Sequence, residues 1–295
     1  MSDHEQTYAF DNAASGQRER LRALEAVLDP GTLHHLEASG FRSGWHCLEV
    51  GAGAGSVALW LAERVGSDGS VLATDLDLTE LRRVTHERLS RRVHDVLRDA
   101  LPEEHFDLVH VRLVLGWLPD PALAVRRLVA SLKPGGLLLA EELDFSSAVA
   151  DPAMPADSAA VVTRVLNAHL AVLADRHGFD STCGRRLSGL LAQAGLIEVR
   201  AEGRATMWRG GEAGGELWRL TFTQLRQAML DAGTVTAPDV DRAVGLCRDG
   251  LSFVSPLTLA AWGTRPERAE LRRCARAAPA WPACRAEPES AAPSP

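Results

Sequence analysis

The stretch LEVGAGAGS, residues 48–56, determines how this sequence is interpreted. An apolar run ends on Glu49, and three glycines separated by alanines follow it: Gly51, Gly53 and Gly55. A glycine-rich loop after a strand generally lets a ligand lie against bare backbone. The dinucleotide pattern G-x-G-x-x-G would need a third glycine where this chain has Ser56. A carboxylate at Glu49 would repel a pyrophosphate, so the loop favours a ligand with positive charge there.

Short apolar runs alternate with helical patterns on both sides of this loop. We predict strands at 47–50, 70–74, 106–111 and 136–143, and helices at 56–65, 78–89 and 121–132. A tight break at Pro134-Gly135-Gly136 separates the last of these helices from its strand. This alternation is typical of βαβ units, in which a parallel sheet is buried on both faces.

The flanking segments have a different pattern. Residues 17–28 predict an amphipathic helix that ends at Asp29-Pro30-Gly31, and a second short helix is predicted at 32–39. Beyond Asp151 we predict helices at 156–177 and 184–195 and strands within 196–208 and 251–263. One helical stripe is predicted to belong to the core: Trp218, Phe222, Leu225 and Met229.

These patterns predict the domain organisation. Residues 1–40 form an N-terminal helical lid, and residues 41–264 form the main domain, with a helical cap inserted at about 151–183. Residues 265–295 are rich in Ala, Pro, Arg and Glu and are predicted to be a mobile tail.

Composition limits the possible partners and compartment. The chain has 295 residues, of which 46% are hydrophobic, and a formal net charge of −7, which argues against a nucleic-acid partner. The N-terminus lacks a basic and apolar leader, and no apolar run is long enough to cross a bilayer, so we expect a cytoplasmic protein. The five cysteines are widely spaced, which predicts reduced thiols and no metal site. The cysteines before residue 250 are predicted to be buried.

Two further carboxylates accompany the glycine loop. Asp75 ends the second predicted strand, where a carboxylate can accept hydrogen bonds from both ribose hydroxyls. Asp95 follows the third short strand, where its carboxylate and the N–H of Val96 could bind an adenine edge. A nucleoside without phosphate and with a cationic amino-acid arm satisfies all these groups together. That ligand is S-adenosylmethionine.

The order of these motifs resembles that of the class I S-adenosylmethionine-dependent methyltransferases over about residues 40–263. The family's first motif, an acidic residue followed by G-x-G-x-G, matches residues 49–55. Its acidic residue at the end of strand two matches Asp75, and its PGG turn matches residues 134–136. The resemblance implies an α/β, Rossmann-like, doubly wound and mostly parallel seven-stranded sheet. It points to the branch that methylates quinones and secondary metabolites.

The resemblance also implies roles for particular residues. The implied cofactor-binding set is Glu49, Gly51, Ala52, Gly53, Gly55, Asp75, Leu76, Asp95, Val96 and Arg112. Glu49 would approach the methionine amino group and Asp75 would bind the ribose. Leu76 would pack on adenine, Asp95 would face the adenine amino group, and Arg112 would lie beside the methionine part.

The acceptor and the catalytic residues are less constrained. Methyl transfer depends mostly on alignment, so no fixed catalytic signature is expected. The candidate bases are Asp144 and His169, while His110 is predicted to be structural and Tyr8 is a candidate lid contact. We expect a small, fairly apolar acceptor and favour oxygen as the methylated atom. The alternatives are a non-methylating reaction such as cyclisation on the same fold, and an NAD-dependent oxidoreductase.

Overall fold

The computed structural model describes residues 16–267. Its strands are β1 His46–Val50, β2 Ser70–Asp75, β3 Leu89–Val93, β4 Phe106–Arg112, β5 Leu132–Asp144, β6 Val149–Ala150, β7 Ile197–Arg204, β8 Met207–Arg209, β9 Ser252–Val254 and β10 Leu257–Thr264. Its helices are α1 Gln17–Ala38, α2 Ser56–Arg64, α3 Pro121–Ser131, α4 Ala156–His177, α5 Leu187–Gln193, α6 Ala213–Gln224, α7 Arg226–Asp231 and α8 Ala237–Arg248.

Seven strands form one sheet in the order β3-β2-β1-β4-β5-β10-β7. All neighbouring pairs are parallel except those of β10, which runs antiparallel to both β5 and β7. The strand order reverses beside β1, which pairs with β2 on one side and β4 on the other. This arrangement confirms the predicted doubly wound α/β fold, and it makes the carboxyl end of β1 the topological switch point where such sheets bind ligands.

Both faces of the sheet are covered by apolar side chains. Alternate residues of the central strands point to opposite faces, so Leu108 and Leu139 belong to one core and Val109 and Leu138 to another. All four side chains are buried. The nearly continuous apolar character of these strands therefore follows from burial on two sides.

A third core lies in the helical cap. Helices α4, α6 and α8 pack together and cover a small sheet in the order β6-β9-β8. The predicted stripe of Trp218, Phe222, Leu225 and Met229 is buried in this core, as expected. This apolar core also includes Ala23 of α1, so the cap packs against the N-terminal helix as well.

Two secondary-structure predictions were wrong. Helix α1 continues through Pro30 instead of breaking there, because its second half is held by contacts with buried residues of the sheet. The predicted helix at 78–89 is reduced to one 3₁₀ turn, Leu81–Arg83, since the chain must extend to enter β3 and Arg91 binds the carbonyl of Val84. The predicted final strand is present as β10, Leu257–Thr264, and a further short strand, β9, precedes Pro256 and belongs to the other sheet.

Cys47, Cys183 and Cys247 are buried free thiols, as predicted. Among residues 16–267, no helix has the length and apolarity needed to span a membrane, and no three metal-ligating side chains cluster. Tyr8 and the predicted tail beyond residue 267 lie outside the described residues.

The cap core predicts the effect of one substitution. Phe222 is fully buried, so Phe222→Ala should lower the free energy of unfolding by about 3–5 kcal/mol, because the cavity adds to the lost apolar burial. The control, Val149→Ala, removes methyl groups from a side chain that is 57% exposed and should change stability by less than about 0.5 kcal/mol. Urea denaturation measures both. Equal effects of the two substitutions would contradict this description of the cap.

Candidate functional site

The loop between β1 and α2 is shaped by its glycines. Gly51, Gly53 and Gly55 all have positive φ, at 68°, 56° and 89°. At Gly51 a Cβ would also clash with the side chain of Val114, in the segment after β4. The N–H groups of Gly51 and Ala52 donate to the carbonyl of Thr74 at 2.8 and 3.0 Å. The sequence therefore needs glycine here to keep bare backbone at the end of β1.

Glu49 lies in β1 immediately before this loop and is buried. Its Oε1 is 3.7 Å from Nδ1 of His110 on the neighbouring strand β4. Its Oε2 is buried and has no hydrogen-bond partner among residues 16–267. Since buried polar atoms are normally paired, this oxygen is a position where a ligand could donate a hydrogen bond.

Asp75 ends β2 beside the glycine loop. Its Oδ2 accepts a hydrogen bond from the N–H of Gly53 at 2.9 Å, and its Oδ1 accepts one from the N–H of Asp77 at 3.3 Å. Burial raises the pKa of Asp75, against the opposing effect of these backbone donors. A carboxylate has about four acceptor positions, so capacity for ligand hydroxyls remains. The neighbouring Leu76 is 61% exposed, which is unusual for a large apolar side chain at a sheet edge.

The third carboxylate lies at the next strand end. Val93 of β3 pairs with Asp75, and Asp95 follows two residues later. Asp95 accepts a hydrogen bond from the N–H of Leu97 at 2.9 Å and lies 3.5 Å from Arg98, while the side chain of Val96 is buried. Asp95 thus stabilises a turn, and the sheet brings that turn to the same edge as Asp75.

Arg112 is bound by helix α1. At the end of β4, its guanidinium donates to Asp29 at 2.9 Å and to Thr32 at 2.8 Å, both on α1. These contacts tie α1 to the sheet. Both terminal nitrogens of the Arg112 guanidinium therefore donate to α1.

Neither candidate base has the environment of an efficient base. Asp144, at the end of β5, accepts hydrogen bonds from Arg185 at 2.7 and 2.9 Å. Burial opposes its ionisation, but the donors Ser146 and Arg185 outweigh burial and lower its pKa. His169 is fully buried between Phe145 and Phe222, and burial lowers its pKa to about 4. The imidazole is therefore neutral and only weakly basic.

A buried carboxyl group on β5, that of Glu142, was not predicted from the sequence. Glu142 accepts a hydrogen bond from the N–H of Gly116 at 3.1 Å, in the segment after β4. Burial raises its pKa to about 7, although backbone donors at residues 114–116 act in the opposite direction. Its position next to Glu141 in a strand buried on both faces was the signal that could have identified it, since one of two consecutive glutamates must face each side.

The edge formed by the ends of β1 and β2 therefore has a loop without large side chains and the two carboxyl groups of Glu49 and Asp75. The orphaned Oε2 of Glu49 fits an ammonium group, the carboxylate of Asp75 fits hydroxyl donors, and Leu76 offers an apolar surface. These residues are suited to a nucleoside that carries a cationic arm.

Comparison with known proteins agrees with this geometry. A family model described as a methyltransferase domain matches residues 17–200. The ubiquinone/menaquinone biosynthesis C-methyltransferase UbiE of Vibrio campbellii is 30% identical over 125 residues, covering 40% of this chain and 48% of UbiE. Methyltransferase str3 of Strobilurus tenacellus is 29% identical over 156 residues, covering 52% and 54%. The chain thus spans about half the length of these curated relatives.

Solved structures share the fold at low sequence identity. Phosphoethanolamine N-methyltransferase 2 of Haemonchus contortus superposes with a TM-score of 0.54 at 14% identity, over 88% of this chain and 60% of that one. The YcgJ protein of Bacillus subtilis gives 0.51 at 15% identity, over 79% and 97%. At these identities the similarity establishes the architecture alone.

The raised pKa of Glu142 predicts a pH-dependent stability. The folded protein keeps a proton on Glu142 that the unfolded chain loses above its ordinary pKa of 4.5, so its contribution to stability is present below pH 4.5 and is lost as the pH rises to about 7. Glu142→Gln stays neutral and keeps an acceptor for Gly116. We expect the stability of this variant relative to wild type to increase by up to about 3 kcal/mol between pH 4.5 and 7.5.

Denaturant unfolding at several pH values measures this difference. Glu103→Gln, at an exposed position, is the control and should run parallel to wild type. If the free energy of unfolding of Glu142→Gln also changes with pH in parallel with that of wild type, the pKa of Glu142 is not raised in the folded protein.

Proposed function

This chain belongs to the methyltransferase-domain family, and we propose that it transfers the methyl group of S-adenosylmethionine to a small, fairly apolar acceptor in secondary or quinone metabolism. The observation that carries the proposal is the carboxyl edge of β1 and β2, where Glu49 has an orphaned buried oxygen beside a backbone loop. The family's cofactor is S-adenosylmethionine, which supplies a methyl group activated on a sulfonium.

The proposed cofactor contacts divide by chemistry. Glu49 receives the ammonium group of the amino-acid arm, and the carboxylate of Asp75 receives the ribose hydroxyls. Leu76 packs on the adenine, and Asp95 with the N–H of Val96 faces the adenine edge. The glycine loop, including Ala52, allows close approach along its backbone. We leave Arg112 out of this set because α1 binds its guanidinium.

The acceptor is proposed to bind where aromatic side chains follow β4 and β5. Trp117 and Phe179 lie with ring centroids 4.4 Å apart, and Phe145 lies 6.2 Å from Phe179. These half-buried rings stand between the sheet edge and the apolar cap. Such a surface supports a planar, weakly polar acceptor.

The residues of the site favour catalysis that depends on aligning the acceptor atom with the methyl group and the sulfur of the cofactor. Asp144 is held by Arg185, and His169 is a weak base because of its low pKa. An acceptor that ionises easily, such as a phenol or a reduced quinone, would need little help from a base. Oxygen is the favoured acceptor atom. Carbon is the second candidate, because UbiE is named a C-methyltransferase of quinone biosynthesis.

The test is incubation with methyl-labelled S-adenosylmethionine and a panel of phenols and quinols. Label transferred to an acceptor supports the proposal, and mass fragmentation of the product distinguishes O- from C-methylation. An acceptor that changes while the label stays on the cofactor would favour a non-methylating reaction. Thermal stabilisation by NAD(H), and none by S-adenosylhomocysteine, would favour an oxidoreductase instead.

The proposed ribose contact predicts a binding defect. Asp75→Ala should weaken binding of S-adenosylhomocysteine about tenfold, because it removes a charged acceptor of hydrogen bonds. The control is Asp77→Ala, two residues further on, whose carboxylate accepts hydrogen bonds from Thr79 and should have little effect. Isothermal titration calorimetry measures both, and an Asp75→Ala affinity equal to that of wild type would refute this contact.

A further inference from the structure

A row of ionisable side chains crosses the middle of the main sheet on one face. Glu49 of β1 pairs directly with His110 of β4, and Glu141 of β5 lies two residues beyond the partner of His110. Leu108 and Leu139 lie on the same face of β4 and β5, where they pack in the core beneath α1 and α2. All three ionisable residues are at least 95% buried. Burial of three such groups is costly unless they compensate one another.

His110 lies between the two carboxylates. Its Nε2 is 3.2 Å from Oε2 of Glu141, a hydrogen-bond distance, and its Nδ1 is 3.7 Å from Oε1 of Glu49, an ion-pair distance. Burial opposes charge on the imidazole, but the two carboxylates outweigh burial and raise the pKa of His110. His110 therefore attracts both carboxylates at once.

Glu141 is the fixed end of this row. Besides His110, it accepts hydrogen bonds from Thr32 at 2.5 Å and from Nδ1 of His35 at 3.3 Å, both on α1. Burial opposes its ionisation, yet His110 and His35 hold the pKa of Glu141 well below its usual range. With three partners around one carboxylate, Glu141 determines the orientation of the His110 ring.

The other end of the row is incomplete. Oε2 of Glu49 and Nδ1 of His110 are both buried without a hydrogen-bond partner within the described part of the chain. A buried carboxylate oxygen accepts hydrogen bonds, so Oε2 of Glu49 is the position where a donor from a ligand would complete the row. The ammonium group of an amino acid is such a donor and carries the opposite charge.

We propose that His110, anchored by Glu141, is a positioning residue that holds the Glu49 carboxylate in place so that Oε2 receives the ammonium group of the cofactor's amino-acid arm. This inference rests on the proposed function, because it assumes that the cofactor binds at the end of β1. It assigns to the buried histidine a role in recognising the arm of the cofactor, separate from recognition of the nucleoside.

The test uses two ligands that differ in that arm. S-adenosylhomocysteine carries the ammonium group, whereas 5′-methylthioadenosine has the same nucleoside and a thioether but no amino-acid arm. Calorimetry on the full chain gives the affinity for each ligand, and the measured ratio is the affinity for S-adenosylhomocysteine divided by the affinity for 5′-methylthioadenosine. His110→Gln should weaken binding of S-adenosylhomocysteine at least tenfold and binding of 5′-methylthioadenosine by less than twofold, so the ratio falls at least fivefold.

His35→Gln is the matched control. His35 also donates to Glu141, but from α1, and it has no contact with Glu49. This variant should leave the ratio within twofold of wild type. If both variants lower the ratio equally, the effect comes from loss of support for Glu141, and the inference is overturned. The same conclusion follows if His110→Gln weakens both ligands equally or weakens neither.

A second set of variants covers the case in which His110→Gln folds poorly. His110→Asn is the smaller substitution, and thermal melting identifies which variant is folded. Glu49→Gln alone should lower the ratio about tenfold, and adding the His110 substitution should lower it no further, because both residues act through one carboxylate. Additive losses would overturn the inference. Wild-type protein that binds neither ligand would overturn the proposed function itself, and the inference with it.

Discussion

The parallel pairing of β1 with β2 on one side and β4 on the other is the constraint on which the rest of the site depends. Because parallel strands end at the same edge, this pairing brings Glu49, Asp75 and Arg112 to one edge of the sheet although they are far apart in sequence. The same pairing leaves a crevice beside β1 where the strand order reverses. The glycine loop is required there, since Gly51 packs against Val114 without space for a side chain.

Helix α1 completes this edge through polar contacts. Asp29 binds Arg112, and Thr32 and His35 bind Glu141, so about two turns of the helix are joined to two strands. These buried contacts explain why the helix continues through Pro30, which removes one backbone hydrogen bond but no tertiary contact. Within the predicted lid, helix α1 is thus packed over the sheet, and its inner face supplies polar partners to Arg112 and Glu141.

The sequence predicted the local features of the site better than its long-range contacts. The glycine loop and Asp75 were recognisable because spacing after a strand fixes their place at the sheet edge. The environment of Asp144 was not recognisable, since its partner Arg185 lies 41 residues further along the chain. The helix predicted at 78–89 failed for a similar reason, because entry into β3 overrides local helix propensity.

Glu141 and Glu142 illustrate what tertiary structure adds to sequence. The two residues are chemically identical and adjacent, and both are buried, but the pleat of β5 directs them to opposite faces. Glu141 meets His110 and His35, which hold its pKa low, whereas Glu142 meets backbone N–H donors, and burial raises its pKa to about 7. One face of the strand therefore carries a carboxylate that contacts His110, while the other carries a carboxyl group with a raised pKa that accepts a hydrogen bond from the segment after β4. This difference between the two faces follows from the position of His110 in β4. It gives His110, which was predicted from the sequence to be structural, a role at the proposed site.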